Sequence, residues 1–464
     1  MTSRPLPRGR HVVLTDHVRL VHSGIGRALL TRSQALAEQF DIDVEILTVD
    51  RVQPPVDETT AALRDLGLIG PRVRLVSMWD DLRAWGVEAE VSDPVLTPDE
   101  TTPGPVTVSG HRRRAGPETW PTVWSLYSYW LERRYGRERV NCIVDIPELA
   151  DFLATAPPRR WAVTYANHAD HRGRRRRWKR LAPKRGYLTL HLDQFDAAVY
   201  PTAAERELLL ESGPRAARRA RTFVVPLIVP APRAERSARN PARGVMLARA
   251  DRGKRLEHAV AAARLLPEVQ LDLYVPESGW TRDDRARLIE LAADLPHVTV
   301  HPATQNADRI LEAAGFLLVT SRSEGFGLTM VEAQAAGCIP VAYNVRYGPS
   351  EIITSGVTGY LVDPPADDTD TDRAIADLAA AVRLAVDAPE EMRDACRQAS
   401  LRYRPEVIAP LWADVLHAAR AHAERRRFRR TSPAELATAH RSALDWRHPM
   451  GNKGPRYQLP SLRP

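Results

Sequence analysis

The chain has 464 residues, a formal net charge of +8, and 44% hydrophobic and 27% charged residues. This length is more than one typical core can use, and the composition is typical of soluble globular proteins, so we expect two domains. The three cysteines are far apart and odd in number, which argues against a disulfide framework and favours a reducing, cytosolic compartment. No apolar run approaches the roughly 18 residues of a membrane span.

The basic balance of the chain favours an anionic partner. Nucleic acid, an anionic lipid, a nucleotide donor and a polyphosphate acceptor all remain open on this ground. Nearly all of the positive charge is arginine, which makes each lysine, and Lys254 in particular, more noticeable.

Residues 1–225 alternate between predicted strands and helices. Strands are predicted at 11–15, 44–49, 142–146, 161–164 and 196–200, and a helix beginning near Gly24 has its apolar residues on one face. This alternation predicts an α/β domain with a doubly wound parallel sheet. Residues 202–205, Thr-Ala-Ala-Glu, form a predicted capping box for the next helix. Residues 88–121 are rich in Pro, Gly, Thr and Glu and are predicted to be an irregular excursion.

Gly24-Ile25-Gly26 follows the first predicted strand and opens this helix. A dinucleotide-binding fingerprint requires a third glycine at position 29, which is Leu29, so an NAD site is poorly supported. The glycines either let a ligand approach the backbone closely or serve only the geometry of a tight turn.

His168 ends the stretch Tyr-Ala-Asn-His that follows the predicted strand 161–164. Ligands of open α/β sheets bind at the carboxyl ends of strands, so His168 is a candidate ligand-binding residue, with His171 a weaker alternative. The run from Arg172 to Arg180 is the densest positive segment of the chain. It is either a solvated helix face or a landing surface for anionic lipid or a phosphate-rich acceptor. One aromatic residue within it is too few for a nucleic-acid stacking platform.

A linker rich in Pro, Ala and Arg is predicted at 226–243, and a second strand–helix block at 244–403. A helix near 404–422 is expected to cross back and complete the first domain. The basic tail at 424–464 is expected to be poorly ordered. The chain therefore predicts two doubly wound, Rossmann-like domains that face each other across a cleft.

Two cations stand at the carboxyl edge of the second sheet. Arg249 closes the predicted strand 245–248, and Lys254 follows five residues later, just before a helix. At such an edge they could neutralise a diphosphate and stabilise the charge that develops as it leaves. Because Arg252 and Arg255 are also present, a solvated basic loop is the alternative.

Two carboxylates, Glu324 and Glu332, stand eight residues apart around a predicted helix start. A predicted buried strand at 316–319 precedes them, and the helix 328–336 ends before Gly337. Backbone amides and the helix dipole can bind a phosphate, while Glu324 takes sugar hydroxyls and Glu332 a further pair, such as a ribose diol. An ordinary strand–loop–helix unit with two surface acids is the alternative.

This Glu-x7-Glu arrangement resembles the nucleotide-sugar site of retaining glycosyltransferases of the GT-B fold, family 4. The stretch Val-Ala-Tyr-Asn-Val-Arg-Tyr-Gly-Pro-Ser-Glu-Ile-Ile, residues 341–353, is similar to a narrower branch. That branch contains the poly(glycerol-phosphate) α-glucosyltransferases of wall teichoic acid and the related adhesin glycosyltransferases. Arg249 and Lys254 resemble the Arg-x4-Lys pair of the family.

The resemblance implies transfer of glucose or N-acetylglucosamine, with retention, from UDP-glucose or UDP-N-acetylglucosamine to a hydroxyl acceptor. It places the catalytic roles on four residues, Glu324, Arg249, Lys254 and His168. Donor binding is expected at Gly24, Arg249, Lys254, Glu324, Gly325, Phe326, Gly327, Leu328 and Glu332. The branch often has His-x-x-His where this chain has Tyr165 and His168. The acceptor implied is an anionic cell-envelope polymer or a protein.

No cofactor or metal ion is expected, because the UDP-sugar is a co-substrate. Asp368, Asp370 and Asp372 form Asp-x-Asp pairs in a turn before a helix and are interpreted as structural. The protein is expected in the cytoplasm, with contact at the inner face of the membrane through Arg172 to Arg180, and a homo-oligomer is allowed.

Three alternatives remain open from the sequence. One is a family 4 transferase that acts on a lipid or secondary metabolite. Another is a catalytically silent GT-B partner subunit, against which the intact Glu pair argues. The third is a basic nucleic-acid-binding protein, although no nucleic-acid partner is expected.

Overall fold

A computed structural model of the chain describes residues 5–15, 24–48, 56–86, 130–145, 160–168, 192–232, 238–249, 252–275 and 282–426. Single positions 132, 137, 214, 305, 368 and 370 within these ranges are excepted. The predicted excursion at 88–121, the run from Arg172 to Arg180 and nearly all of the tail at 424–464 lie outside the described residues.

The first sheet has seven parallel strands in the order β3-β2-β1-β4-β5-β6-β7. Its strands are β1 (Arg10–Thr15), β2 (Val44–Thr48), β3 (Val73–Ser77), β4 (Val140–Val144), β5 (Trp161–Ala166), β6 (Ala197–Tyr200) and β7 (Thr222–Val224). The helices of this part are α1 (Gly24–Phe40), α2 (Val56–Asp65), α3 (Met78–Ala84), α4 (Ala203–Ser212) and α5 (Arg215–Arg219), with a 3₁₀ turn at Leu192–Gln194.

The second sheet has six parallel strands in the order β10-β9-β8-β11-β12-β13. Its strands are β8 (Asn240–Leu247), β9 (Gln270–Tyr274), β10 (Val298–His301), β11 (Ala314–Val319), β12 (Ile339–Tyr343) and β13 (Tyr360–Val362). The helices are α6 (Leu256–Arg264), α7 (Arg282–Ala292), α8 (Ala307–Ala313), α9 (Leu328–Ala336), α10 (Gly348–Ile352), α11 (Asp372–Val386), α12 (Glu390–Ser400) and α13 (Pro405–Arg426), with a 3₁₀ turn at Leu401–Tyr403. The predicted α/β class with two doubly wound sheets is confirmed.

Both sheets are buried on both faces, as the near-continuous apolar strands require. In β1, Val12 and Leu14 belong to one core cluster and Val13 to the cluster on the other face. In the second sheet, Phe316 and Leu317 of β11 divide in the same way. In each sheet the strand order reverses once, between β1 and β4 and between β8 and β11. Such switch points open a crevice at the carboxyl edge of the sheet, where ligands bind.

The last helix, α13, packs against the first sheet rather than the second. Its residues Ile408, Trp412 and Leu416 share a core cluster with Leu29 of α1 and Ile143 of β4. Farther along, Arg420 donates hydrogen bonds to the backbone carbonyls of Val140 and Arg160 and to Asn141. The chain thus crosses from the first sheet to the second and returns. None of the described helices combines the length and hydropathy needed to span a bilayer.

The predicted capping box at 202–205 is wrong. Thr202 is the N-cap residue of α4, but its side chain makes no capping hydrogen bond, and Glu205 instead accepts one from Asn167. The carboxylate of Glu351, at the far side of the domain boundary, accepts hydrogen bonds from the amides of Ala203 (3.1 Å) and Ala204 (2.7 Å). A full negative charge on two N–H groups at a helix start is a stronger cap than a hydroxyl, so the tertiary contact wins.

Replacing Glu351 by alanine should therefore weaken the association of the two domains. The lost hydrogen bonds and helix-dipole interaction are worth about 1–2 kcal/mol. The expected result is faster proteolysis and a lower midpoint of thermal unfolding, measured by limited digestion and circular dichroism. Glu207→Ala is the matched control, because Glu207 is an exposed residue of the same helix. Equal behaviour of the two variants would contradict the bridging role of Glu351.

Candidate active site between the two domains

Glu324 lies in the loop that joins β11 to α9. The chain enters α9 through Gly327, whose φ of 99° is in the left-handed region that favours glycine. Phe326 is buried and packs edge-to-face on Tyr403, with ring centroids 5.5 Å apart. The side chain of Phe326 thus anchors the loop in the core. A ligand would therefore contact the backbone of residues 325, 326 and 328 rather than the Phe326 ring.

The carboxylate of Glu324 is held by two donors. Lys254 Nζ and Ser321 Oγ each donate to Glu324 Oε1 at 2.6 Å. The loop that carries Lys254 is tied to the same region, because Thr320 Oγ1 donates to the Lys254 carbonyl (2.8 Å) and the Arg322 amide donates to the Gly253 carbonyl (2.8 Å). The structure therefore brings together two residues predicted from separate motifs, Lys254 and Glu324.

The backbone of Glu324 is fixed from the other side by the segment after β12. The Glu324 amide donates to the Arg346 carbonyl at 2.8 Å, and the Glu324 carbonyl accepts from the amides of Tyr347 (2.6 Å) and Gly348 (3.1 Å). A β-carbon on residue 348 would lie 1.5 Å from the Phe326 carbonyl oxygen, so only glycine fits. The Tyr-Gly-Pro-Ser run thus supports the Glu324 loop.

Glu332 lies in α9 in a different electrostatic environment. Its side chain is 10% exposed, and Arg27 Nη2 of α1 approaches its Oε1 at 3.3 Å. Burial raises the pKa of Glu332, Arg27 opposes this, and Asp308 adds to it; the net pKa is above the ordinary value. Its second oxygen, Oε2, is buried and has no hydrogen-bond partner among the described residues. A buried acceptor without a partner is uncommon in proteins and marks Glu332 as a candidate ligand-binding residue.

For Arg249 and Gly24, the structure gives a place near the site but does not by itself assign a role. Arg249 is exposed, two residues beyond the end of β8, at the carboxyl edge where Lys254 and Glu324 also lie. Gly24 begins α1, and a β-carbon built on it would meet no atom within 4 Å. Neither steric crowding nor a positive φ therefore requires glycine at position 24.

His168 belongs to a buried hydrogen-bond network with Asp145 and Arg32, which the sequence motifs did not indicate. Its Nε2 lies 2.5 Å from Asp145 Oδ1, and Arg32 binds the same carboxylate through Nη1 (2.9 Å) and Nη2 (2.6 Å). Burial raises the pKa of Asp145, but Arg32 and His168 outweigh it and lower the pKa to about 2. Because an ionised Asp145 only accepts, Nε2 of His168 carries the proton, which fixes the ring orientation.

The two halves of the site meet at His168 and Gly325. A β-carbon built on Gly325 would lie 3.5 Å from the His168 carbonyl oxygen. The first domain thus reaches the Glu324 loop through the segment that follows β5. That strand runs to Ala166, so the predicted end at 164 is wrong: Tyr165 is a buried strand residue whose hydroxyl donates to Asn167.

Sequence reasoning missed Asp145, Arg32, Arg27 and Glu351. The position of Asp145 directly after β4, at the switch point of the first sheet, is the one local signal that could have found it. His171, Asp368 and Asp370 lie outside the described residues. Within the described part of the chain, no group of three or more His, Cys, Asp or Glu side chains is placed to hold a metal ion.

Residues 231–400 match the family model of the group 1 glycosyl transferases. The chain is 33% identical over 125 residues to a poly(glycerol-phosphate) alpha-glucosyltransferase of Bacillus subtilis, which is 26% of this chain and 18% of that protein. It is 37% identical over 105 residues to the GtfA subunit of a UDP-N-acetylglucosamine–peptide N-acetylglucosaminyltransferase of Streptococcus gordonii, 22% of this chain and 20% of that protein. The matches thus span about a fifth of these relatives.

The fold of the whole described chain is that of GT-B glycosyltransferases. The crystal structure of a variant of S. aureus TarM, in complex with UDP, alpha-GlcNAc-glycerol and fondaparinux, aligns with a TM-score of 0.70 at 15% identity. The alignment covers 88% of this chain and 100% of that chain.

Replacing Asp145 by asparagine leaves Arg32 buried without its counter-charge. We expect the first domain to lose about 3–5 kcal/mol of unfolding free energy near neutral pH. Folding lowers the pKa of Asp145 from its ordinary value of 3.8 to about 2. The stabilisation that ionised Asp145 gives the folded wild type is therefore complete above pH 3.8 and is lost as the pH falls through 2. Guanidinium titrations followed by tryptophan fluorescence should show the wild-type advantage shrinking over this window.

The matched control is Asp43→Asn, because Asp43 is 72% exposed and lies 3.6 Å from Arg72. That change should cost no more than about 0.5 kcal/mol. An Asp145 variant that resembled it at neutral pH would contradict a buried, ionised pair.

Proposed function

We propose that the protein is a retaining glycosyltransferase that moves glucose or N-acetylglucosamine from a UDP-sugar to a hydroxyl acceptor. The observation that carries the proposal is the Lys254–Glu324 pair at the carboxyl edge of the second sheet, with the buried carboxylate of Glu332 in the second turn of the helix that follows, α9. The group 1 glycosyl transferase match over 231–400 includes all three residues and supports transfer of a sugar.

In the proposed donor complex, Arg249, Lys254 and the amides near Gly327 and Leu328 bind the diphosphate. Lys254 has three N–H donors, so it can keep its bond to Glu324 and still reach a phosphate oxygen. Lys254 and Ser321 both bind Oε1 of Glu324, and its other oxygen, Oε2, accepts hydrogen bonds from sugar hydroxyls. Glu332 accepts from the ribose diol through Oε2.

In the proposed transfer, the bond from the anomeric carbon to the UDP phosphate breaks and a bond to the acceptor oxygen forms on the same face of the sugar. The acceptor proton passes to the departing phosphate, and Arg249 and Lys254 stabilise the charge that develops there. His168, oriented by Asp145, binds a hydroxyl of the transferred sugar. No metal ion is required, because these cations supply the positive charge.

The proposed acceptor is an anionic cell-envelope polymer or a protein. The names of two relatives specify poly(glycerol phosphate) and a peptide as acceptors, and a net charge of +8 suits a phosphate-rich polymer. Under this proposal, the run from Arg172 to Arg180 contacts the polymer or the inner face of the membrane.

The donor site can be tested without knowing the acceptor. We expect slow release of UDP from UDP-glucose or UDP-N-acetylglucosamine, followed by a coupled UDP assay. Glu324→Ala should lower this release at least about 100-fold, because it removes both the hydroxyl acceptor and the partner of Lys254. Glu332→Ala should chiefly raise the donor KM, by about tenfold or more, and Arg249→Ala should chiefly lower kcat.

Glu391→Ala, a change of an exposed glutamate in the first turn of α12, is the control and should leave the kinetics unchanged. Unchanged kinetics in folded Glu324 and Glu332 variants would overturn the site assignment. Failure of the wild type to bind any UDP-sugar or UDP would favour a silent partner. Salt-sensitive RNA or DNA binding would favour the nucleic-acid alternative.

A further inference from the structure

We infer that Arg27 of the first domain is a positioning residue of the donor site, which crosses the cleft to Glu332 and keeps that carboxylate able to accept hydrogen bonds from a nucleoside diphosphate. The inference deepens the proposed function and rests on it.

The contact joins two elements that belong to different domains. Arg27 lies in the first turn of α1, and its Nη2 is 3.3 Å from Oε1 of Glu332 in α9. The Arg27 side chain is 45% exposed and that of Glu332 only 10%. The arginine therefore keeps much of its hydration, whereas the carboxylate is the partner that needs a counter-charge.

The surroundings of Glu332 show what Arg27 opposes. Arg27 on α1 and Asp308 on α8 are the charged groups that act on this carboxylate, and burial and Asp308 both favour its neutral form. Removing Arg27 would leave only those two influences. The pKa of Glu332, already above its ordinary value, would rise further.

The protonation state matters because of the chemistry of a diol. An ionised carboxylate accepts from both hydroxyls, whereas a carboxylic acid has committed one oxygen to its own proton. Arg27 approaches Oε1, and Oε2 stays buried without a partner among the described residues. One oxygen is therefore stabilised by a positive charge from the first domain, while the other has no partner among the described residues.

The test uses UDP itself, which binds without turnover. Isothermal calorimetry at pH 6 and pH 8 would compare wild type, Arg27→Ala, Glu332→Gln and the double variant. Arg27→Ala should weaken UDP binding about tenfold at pH 6 and less at pH 8, because a raised pKa favours the protonated carboxyl at the lower pH. In the Glu332→Gln background, which cannot ionise, the same change should have no effect. Arg27→Lys should restore most of the affinity.

Arg373→Ala is the matched control: Arg373 is 94% exposed on α11, a helix that packs on the opposite face of the second sheet from α9. It removes the same charge and should leave UDP binding unchanged at both pH values. An Arg27→Ala loss that is equal at pH 6 and pH 8, or that persists in the Glu332→Gln background, would overturn the inference. If wild type binds no UDP, the proposed function itself fails.

Discussion

The ion pair between Lys254 and Glu324 is the contact on which the arrangement of the site depends. It joins the loop after β8 to the loop after β11, the two strands between which the order of the second sheet reverses. Parallel strands end at one edge, so both loops emerge side by side. The segment at 346–348 then clamps the backbone of Glu324 from the opposite side. Neither the side chain nor the backbone of Glu324 is left to a flexible loop, which is what a precise site requires.

The three carboxylates around the cleft show how one chemical group is given different properties by its surroundings. Asp145 is fully buried but ionised, because Arg32 binds both of its oxygens. Glu324 shares one oxygen between a lysine and a serine. Glu332 has Arg27 at 3.3 Å from one of its oxygens, and burial raises its pKa. The first is a structural charge, whereas in the proposed donor complex each of the other two uses its second oxygen to bind the ligand.

Much of the second domain could be predicted from the sequence because its signals are local. The helix at 328–336 was predicted to the residue, and the strand at 339–343 likewise, because Gly337 ends the helix in the left-handed region and a fully buried strand follows it. Contacts between distant residues could not be predicted in this way. Arg32 and Asp145 are 113 positions apart, and nothing in the helical period of α1 distinguishes an arginine that faces the core from one in solvent. The cap of α4 failed for the same reason, since the winning partner, Glu351, lies 147 positions away from Ala204.

The crossing helix gives the first domain a physical connection to the site. Trp412 of α13 packs against the guanidinium of Arg32, whose Cζ lies 4.8 Å from the ring centroid. Arg32 in turn fixes Asp145, and Asp145 fixes the ring of His168. Helix α13 follows the second domain in the sequence. The arginine that fixes Asp145, and through it His168, is therefore packed by a segment that comes after the Glu324 loop in the chain. A change in how α13 packs on the first sheet would therefore alter the orientation of the histidine through Arg32 and Asp145. The two domains are thus coupled through the packing that closes the fold as well as through Glu351 at their boundary.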